Sequence, residues 1–203
     1  MSIEALVAIV AAYLFGSVSF AVLVSRMMGL PDPRTYGSNN PGATNVLRTG
    51  RKLAAALTLA GDCAKGFLAV WVAELVFGTA VPPAYRMAPV AVAVVVGHMA
   101  PAFHRFQGGK GVATTLGAML GLSLWLGLGA LSTWIIMVAF FRYSSLAAII
   151  AAASSPAWAY LLFGLHPYTL AVAIIAVLLV WRHKGNIRKL LDGTEPRIGA
   201  KHG

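Results

Sequence analysis

The stretch Gly111–Phe141, GVATTLGAMLGLSLWLGLGALSTWIIMVAFF, runs for 31 residues without a charged side chain. A helix rises about 1.5 Å per residue and the hydrocarbon core of a bilayer is about 30 Å thick, so one straight span needs about 20 residues. This run is too long for a single untilted crossing. It contains GLGA at 127–130, with Trp125 and Trp134 on either side, so two short helices are predicted, 111 to 126 and 129 to 141. A single long, kinked helix is the alternative. The two readings differ by one crossing and therefore by the side on which the C-terminal tail emerges.

The remaining composition agrees with a membrane setting. Of 203 residues, 11% are charged, the mean hydropathy is +0.77 and the net charge is +10. A soluble domain carries roughly 25% charged residues, so the deficit identifies an all-α integral membrane protein, read as one domain over 1–203. Further apolar runs at 4–26, 53–77, 88–103, 144–163 and 168–182 bring the expected number of transmembrane helices to seven. The first begins with Glu4, lacks a basic flank and exceeds the core of a signal peptide, so it is read as a retained span.

Lys and Arg accumulate in the cytoplasmic loops of membrane proteins, which tests the parity. With seven spans and the N-terminus outside, the inner segments hold Arg26, Arg34, Arg48, Arg51 and Lys52, then Arg105 and Lys110, then Arg142. The tail adds Arg182, Lys184, Arg188, Lys189, Arg197 and Lys201, making fourteen of the sixteen basic residues. Arg86 falls outside and Lys65 within the second span. Six spans would put the basic first loop and the basic tail on opposite faces, so the odd count is preferred. Because the basic residues sit between apolar runs rather than along a polar domain, they point to topology and anionic ligands, not to nucleic acid.

Three polar inserts, 29–52, 104–111 and 182–203, would then meet at the cytoplasmic face. The first contains GSNNPGATNVLR. Gly37 and Gly42 allow tight turns that expose N–H groups, and Ser38, Thr44 and Asn45 add side-chain partners suited to phosphate oxygens. A helix starting after Thr44 would add its dipole, with Arg48 about one turn further in. A plain inter-helix turn uses the same residue types, and both readings stay open. The second insert, FHRFQGGKGVAT, is no Walker A loop, because Gly111 rather than Ser or Thr follows Lys110. It leaves a lysine in a Gly-Gly-Lys-Gly turn that opens a helix, suited to an anion; the glycines would equally serve close helix packing. In the third, HKGNIRKLLDGTEPRIG, His183 and Asn186 stack if the last span continues as a helix, and Arg188 and Lys189 extend the basic surface. A basic tail lying on anionic headgroups is the alternative.

Other chemistries find no support. Cys63 is the only cysteine, so neither a disulfide framework nor a thiolate metal site is expected, and no second ligand stands at metal spacing from His183. A G-x-S-x-G elbow, a His-x4-Asp acyltransferase signature and facing carboxylate pairs are absent from the sequence. Asp62 and Lys65, three apart within the second span, are read as an architectural ion pair. Glu74 has no evident role, and His98 and His166 are read as ordinary polar contacts.

Taken together, FGSVSF with Arg26, GSNNPGATNVLR, GDCAKG, GHMAPAFHRFQGGKGVAT and HKGNIRKLLDGTE resemble one family, the bacterial acyl-phosphate:glycerol-3-phosphate acyltransferases, PlsY. The matching pieces run from about residue 15 to residue 195. The resemblance implies a bacterial inner-membrane, multi-pass enzyme with seven helices and no cofactor. It would transfer a fatty acyl group from acyl phosphate to the 1-hydroxyl of glycerol 3-phosphate, releasing lysophosphatidic acid and phosphate without an acyl-enzyme, as the first acylation of phospholipid biosynthesis. By the same resemblance the catalytic set falls on Ser38, Arg48, Lys110, His183 and Asn186. Substrate binding falls on Gly37, Asn40, Gly42, Thr44, Asn45, Gly108, Gly109, Gly111 and Arg188, with Glu195, Asp62 and Lys65 in support. The expected partners are the two substrates and membrane lipids; transient contact with the soluble enzyme that makes acyl phosphate stays open. Two positions depart from the family pattern: Asn39 replaces a usual glycine and Ser19 a usual proline. A transporter of phosphate esters is the rival, disfavoured because few charges lie at mid-membrane, where alternating-access sites are built.

Overall fold

The computed structural model describes residues 3–76 and 82–199. Phe77, the end of the expected second span, and Lys201 lie outside them. The described residues form helices and turns only: α1 (Ile3–Gly16), α2 (Phe20–Met27), α3 (Ala43–Leu47), α4 (Lys52–Val76), α5 (Pro83–Met99), α6 (Val112–Leu122), α7 (Leu124–Phe141), α8 (Ser144–Phe163), α9 (Pro167–Arg182) and α10 (Lys184–Leu191). A 3-10 turn, Ala102–His104, follows α5.

Four helices are long and apolar enough to cross a membrane: α4, α5 with its 3-10 extension, α7 and α8. The count rises to six if α1 with α2, bent by 41°, and α9 with α10, bent by 57°, are each one crossing. The remaining α6 has 11 residues. At about 1.5 Å per residue it reaches about half the thickness of a hydrocarbon core.

α5 occupies the middle of the bundle, packed against α1, α4, α6 and α9, and its Val90, Ala91, Val94 and Val95 are buried. Without water to drive helices together in lipid, close backbone approach through small residues supplies the contact. The α4–α6 pair shows this directly. A Cβ built on Gly117 would stand 1.9 Å from the Cys63 carbonyl oxygen, and one on Gly66 2.2 Å from that of Thr114.

Three boundaries differ from the sequence reading. α5 begins at Pro83, five residues before the expected 88, so Arg86 lies within it rather than outside the spans. The long apolar run breaks at Ser123, whose backbone is extended (φ −165°, ψ 132°), and not at the 127–130 glycines. Those glycines lie inside α7, where Gly127 meets Leu120 and Gly129 meets the Trp158 ring. They serve packing rather than a turn. The first apolar run is interrupted between Gly16 and Phe20, where Ser17 bonds back to the Tyr13 carbonyl (2.9 Å) and Ser19 caps α2 through Val22 N–H (3.4 Å).

Candidate active site

The first insert folds around Asn45, which is 2% exposed. Its Nδ2 donates to the carbonyls of Pro33 (2.7 Å) and Tyr36 (3.1 Å), and its Oδ1 accepts the Ser38 N–H (3.0 Å). Asn45 therefore staples the loop from within. Gly37 has φ 60°, and a Cβ there would stand 2.3 Å from Asn45 Oδ1 and 2.9 Å from Arg48 Nη1. Only glycine lets the Arg48 side chain lie against this turn. Asn39 adopts φ 53°, a left-handed conformation that asparagine tolerates better than most residues.

The N–H array expected of this loop is largely used inside it. Besides Ser38, the N–H of Asn39 donates to Tyr36 (3.0 Å) and that of Gly42 to Asn40 (2.9 Å). The loop offers outward the exposed Ser38 hydroxyl and the exposed Arg48 guanidinium. α3 begins at Ala43, earlier than the sequence placed it, because extended Gly42 (φ −157°) already turns the chain into the helix. Thr44 Oγ1 lies 3.4 Å from Ser144 Oγ, at the start of α8.

In the second insert, Arg182 takes two carbonyls of the glycine turn. Its Nη2 donates to Gly108 (2.7 Å) and Gly109 (3.0 Å), and its Nε to Gly109 (3.2 Å). Gly109 N–H donates to the His98 carbonyl (3.1 Å). A Cβ on Gly109 would also stand 2.9 Å from the Pro41 carbonyl, so the first two inserts touch here. Gly111, at φ 85°, turns the chain into α6.

Lys110 is half-buried, and its ammonium makes no hydrogen bond or ion pair among the described residues. Burial holds its pKa below the ordinary lysine value; Glu195 opposes that effect, and the charges of Lys189, Arg48 and Arg182 add to it. Three other cations and one carboxylate thus act on Lys110. On α10 the charge of Lys189 acts on Lys110, and both Arg188 and Lys189 are exposed.

The third insert does not continue the last span as one straight helix, because α10 leaves α9 at 57°. The chain bends at His183, which is 2% exposed. Its Nδ1 lies 2.8 Å from the Leu179 carbonyl. A carbonyl can only accept, so Nδ1 carries the proton and Nε2 keeps a lone pair. Burial in this turn beyond α9 takes the imidazole down to about 4, the Leu179 bond opposing it and the Lys110 charge adding to it. The ring is therefore neutral near pH 7.

Glu195 Oε1 accepts from Asn186 Nδ2 (2.7 Å) and Ser145 Oγ (2.5 Å), joining the tail to α10 and α8. The tail then returns over the α7–α8 turn, with Ile198 N–H donating to the Arg142 carbonyl (2.7 Å) and Arg197 Nε to the Tyr143 hydroxyl (3.0 Å).

Beneath the glycine turn, Asp62 and Lys65 form the expected ion pair (2.8 Å), and both are buried. The pair is not isolated: Lys65 Nζ also donates to the Val18 carbonyl (2.7 Å), in the break between α1 and α2, and lies 3.0 Å from His98 Nδ1. His98 is thus more than the ordinary contact read from sequence. Sequence reasoning missed it, along with Arg182 and Ser145, since each meets partners far away in the chain and carries no local motif. His166 does cap α9, accepting the Tyr168 N–H (3.3 Å).

Comparison with known proteins identifies the family. Residues 6–193 match the family model described as glycerol-3-phosphate acyltransferase. A glycerol-3-phosphate acyltransferase of Ralstonia nicotianae is 59% identical, covering 95% of this chain and 93% of the relative. One from Cupriavidus pinatubonensis is also 59% identical, over 94% and 95%. A crystal structure of PlsY, described as an integral membrane glycerol 3-phosphate acyltransferase in its glycerol 3-phosphate form, superposes with a TM-score of 0.89 at 35% identity over 97% of this chain and 96% of that one. The lysophosphatidic acid form of PlsY gives 0.87 at 34% identity, covering 97% and 96%. On the full length of these matches, the chain belongs to the glycerol-3-phosphate acyltransferase family.

Proposed function

We propose that this membrane protein transfers a fatty acyl group from acyl phosphate to the 1-hydroxyl of glycerol 3-phosphate, giving lysophosphatidic acid and phosphate with no acyl-enzyme. The observation that carries this reading is the meeting of the first two inserts at Pro41 and Gly109, next to Lys110, which is unpaired among the described residues and which the charges of Arg48 and Lys189 also act on, with a neutral His183 at the same end of the bundle. Two phosphate-bearing substrates require such a surplus of cations, and an attacking hydroxyl requires an acceptor for its proton. PlsY in its glycerol 3-phosphate and lysophosphatidic acid forms supports the acceptor and the product.

Acyl phosphate is a mixed anhydride, so the reaction needs positioning and charge stabilisation more than a covalent intermediate. The acceptor oxygen attacks the acyl carbon, the bond from that carbon to the phosphate oxygen breaks, and phosphate departs with the electron pair. The hydroxyl proton goes to His183 Nε2 or to a substrate phosphate. Ser38 and Arg48 hold one phosphate at the rim, with Asn40 and Thr44 beside them. Lys110 and Lys189 neutralise the charge that develops on the departing phosphate. Asn186, fixed by Glu195, orients the acceptor. Gly37, Asn45, Gly108, Gly109 and Gly111 shape the two turns, and Arg188 contributes to the surrounding field.

The topology proposed is seven crossings, with the short α6 and α7 counted separately as two halves of the long apolar run that each change the side of the chain, the N-terminus outside and the site on the cytoplasmic face of a bacterial inner membrane. Counted in this way, fourteen of the sixteen basic residues fall on the inner side, as the positive-inside tendency expects. The test is direct: purified protein in detergent, glycerol 3-phosphate and synthetic acyl phosphate or acyl-CoA, scoring lysophosphatidic acid. Product is expected with acyl phosphate only. No product from that pair, or activity that survives Ser38→Ala with Arg48→Ala, would overturn the reading.

A further inference from the structure

The segment Gly108–Gly109–Lys110 is gripped from two sides. On one side Arg182 binds the Gly108 and Gly109 carbonyls through three hydrogen bonds of 2.7 to 3.2 Å. In a trans peptide the N–H points opposite to the carbonyl, so the Lys110 N–H points away from Arg182. No acceptor for it is found among the described residues.

On the other side stands His98. Its carbonyl accepts the Gly109 N–H (3.1 Å), and its ring is so close that a Cβ on Gly109 would lie 2.1 Å from Nε2. The ring itself is fixed from below. An ammonium only donates, so the contact from Lys65 makes Nδ1 the acceptor and leaves the ring proton on Nε2. Lys65 Nζ donates to His98 Nδ1 and to the Val18 carbonyl, and its charge is paired with Asp62 at 2.8 Å. Shifting the ring would cost this buried ammonium one of its two hydrogen bonds in a dry interior.

We propose that Arg182 and His98 are positioning residues of the acyl-transfer site. They clamp the Gly109–Lys110 peptide so that its N–H and the Lys110 side chain face the reacting phosphate, while Asp62 and Lys65 act by holding His98. The proposal rests on the reading of Lys110 as the residue that neutralises the departing phosphate.

The test uses full-length protein in detergent, with kinetics in glycerol 3-phosphate and a melting curve for each variant. Arg182→Lys keeps the charge but loses the two-pronged fork. If the clamp holds, Arg182→Lys and Arg182→Ala lose kcat alike, by about tenfold to a hundredfold, with KM changed less than about threefold. Millimolar guanidinium should then restore kcat to Arg182→Ala. His98→Asn, which keeps an acceptor for Lys65, should retain about tenfold more kcat than His98→Leu. Wild-type kcat in Arg182→Lys with only a raised KM in Arg182→Ala would make Arg182 a phosphate ligand and overturn the clamp. So would unchanged kcat in a folded His98→Leu; should that variant not fold, the Arg182 pair decides. If the wild type itself makes no product from acyl phosphate, the acyl-transfer reading fails, and the clamp is read from amide exchange instead. Faster exchange over residues 108–110 in Arg182→Ala would then support it, and unchanged exchange would overturn it.

Discussion

Asn186 and Ser145, 41 positions apart, are joined through one oxygen, Glu195 Oε1, at 2.7 and 2.5 Å. The other carboxylate oxygen, Oε2, is buried without a hydrogen-bond partner among the described residues. Glu195 thus binds the tail to the start of α8 while supplying the negative charge that acts on Lys110. Glu195→Ala should leave the Asn186 amide and Ser145 hydroxyl without their acceptor, lowering stability by about 1–3 kcal/mol. Denaturation and turnover measured together check this, with kcat expected to fall further than the stability loss explains.

The first loop admits a paired test. Gly37→Ala places a Cβ against Asn45 and Arg48 at a left-handed residue, so activity should fall at least about tenfold through displaced Arg48. Asn39→Gly relieves a left-handed asparagine and touches no charge, so activity should stay within about twofold. Steady-state kinetics on both variants separates loop geometry from charge.

Helix packing offers a test remote from the chemistry. A Cβ at Gly117 would meet a backbone carbonyl of α4, not a flexible side chain. Gly117→Ala should therefore force α4 and α6 apart and cost about 1–3 kcal/mol, as overpacking does. A melting temperature within a degree or two of wild type would show that the helices yield freely.

His183 fixes a pH dependence. Its folded pKa of about 4 lies below the ordinary 6.5, so between those values the unfolded chain binds a proton that the native chain refuses. Stability is full above about pH 6.5 and is lost as pH falls toward about 4, by roughly 3 kcal/mol at most. His183→Gln should remove that slope, as denaturation at pH 7 and pH 4.5 would reveal. Since the neutral ring persists to about pH 5, any loss of kcat between pH 8 and pH 5 should be the same in wild type and in variants that retain His183.

The sequence alone determined the membrane class, the helical content, the three polar inserts and the family. These follow from local properties: runs of apolar residues long enough for a bilayer, and short motifs whose order is fixed along the chain. It also foresaw that Asn39 would accept a left-handed turn and that Asp62 would pair with Lys65, one helical turn away. What it could not supply depended on which groups face one another across helices. Ser123 rather than the GLGA glycines breaks the long run because those glycines are needed against Leu120 and Trp158. The last span bends at His183, whose ring bonds back to Leu179. Asn45 faces inward as a staple of the first loop. The same limit hid His98 and Arg182, which meet the glycine turn from different helices. Such pairings are set by tertiary packing in a medium without water, where each buried donor must find its acceptor inside the protein.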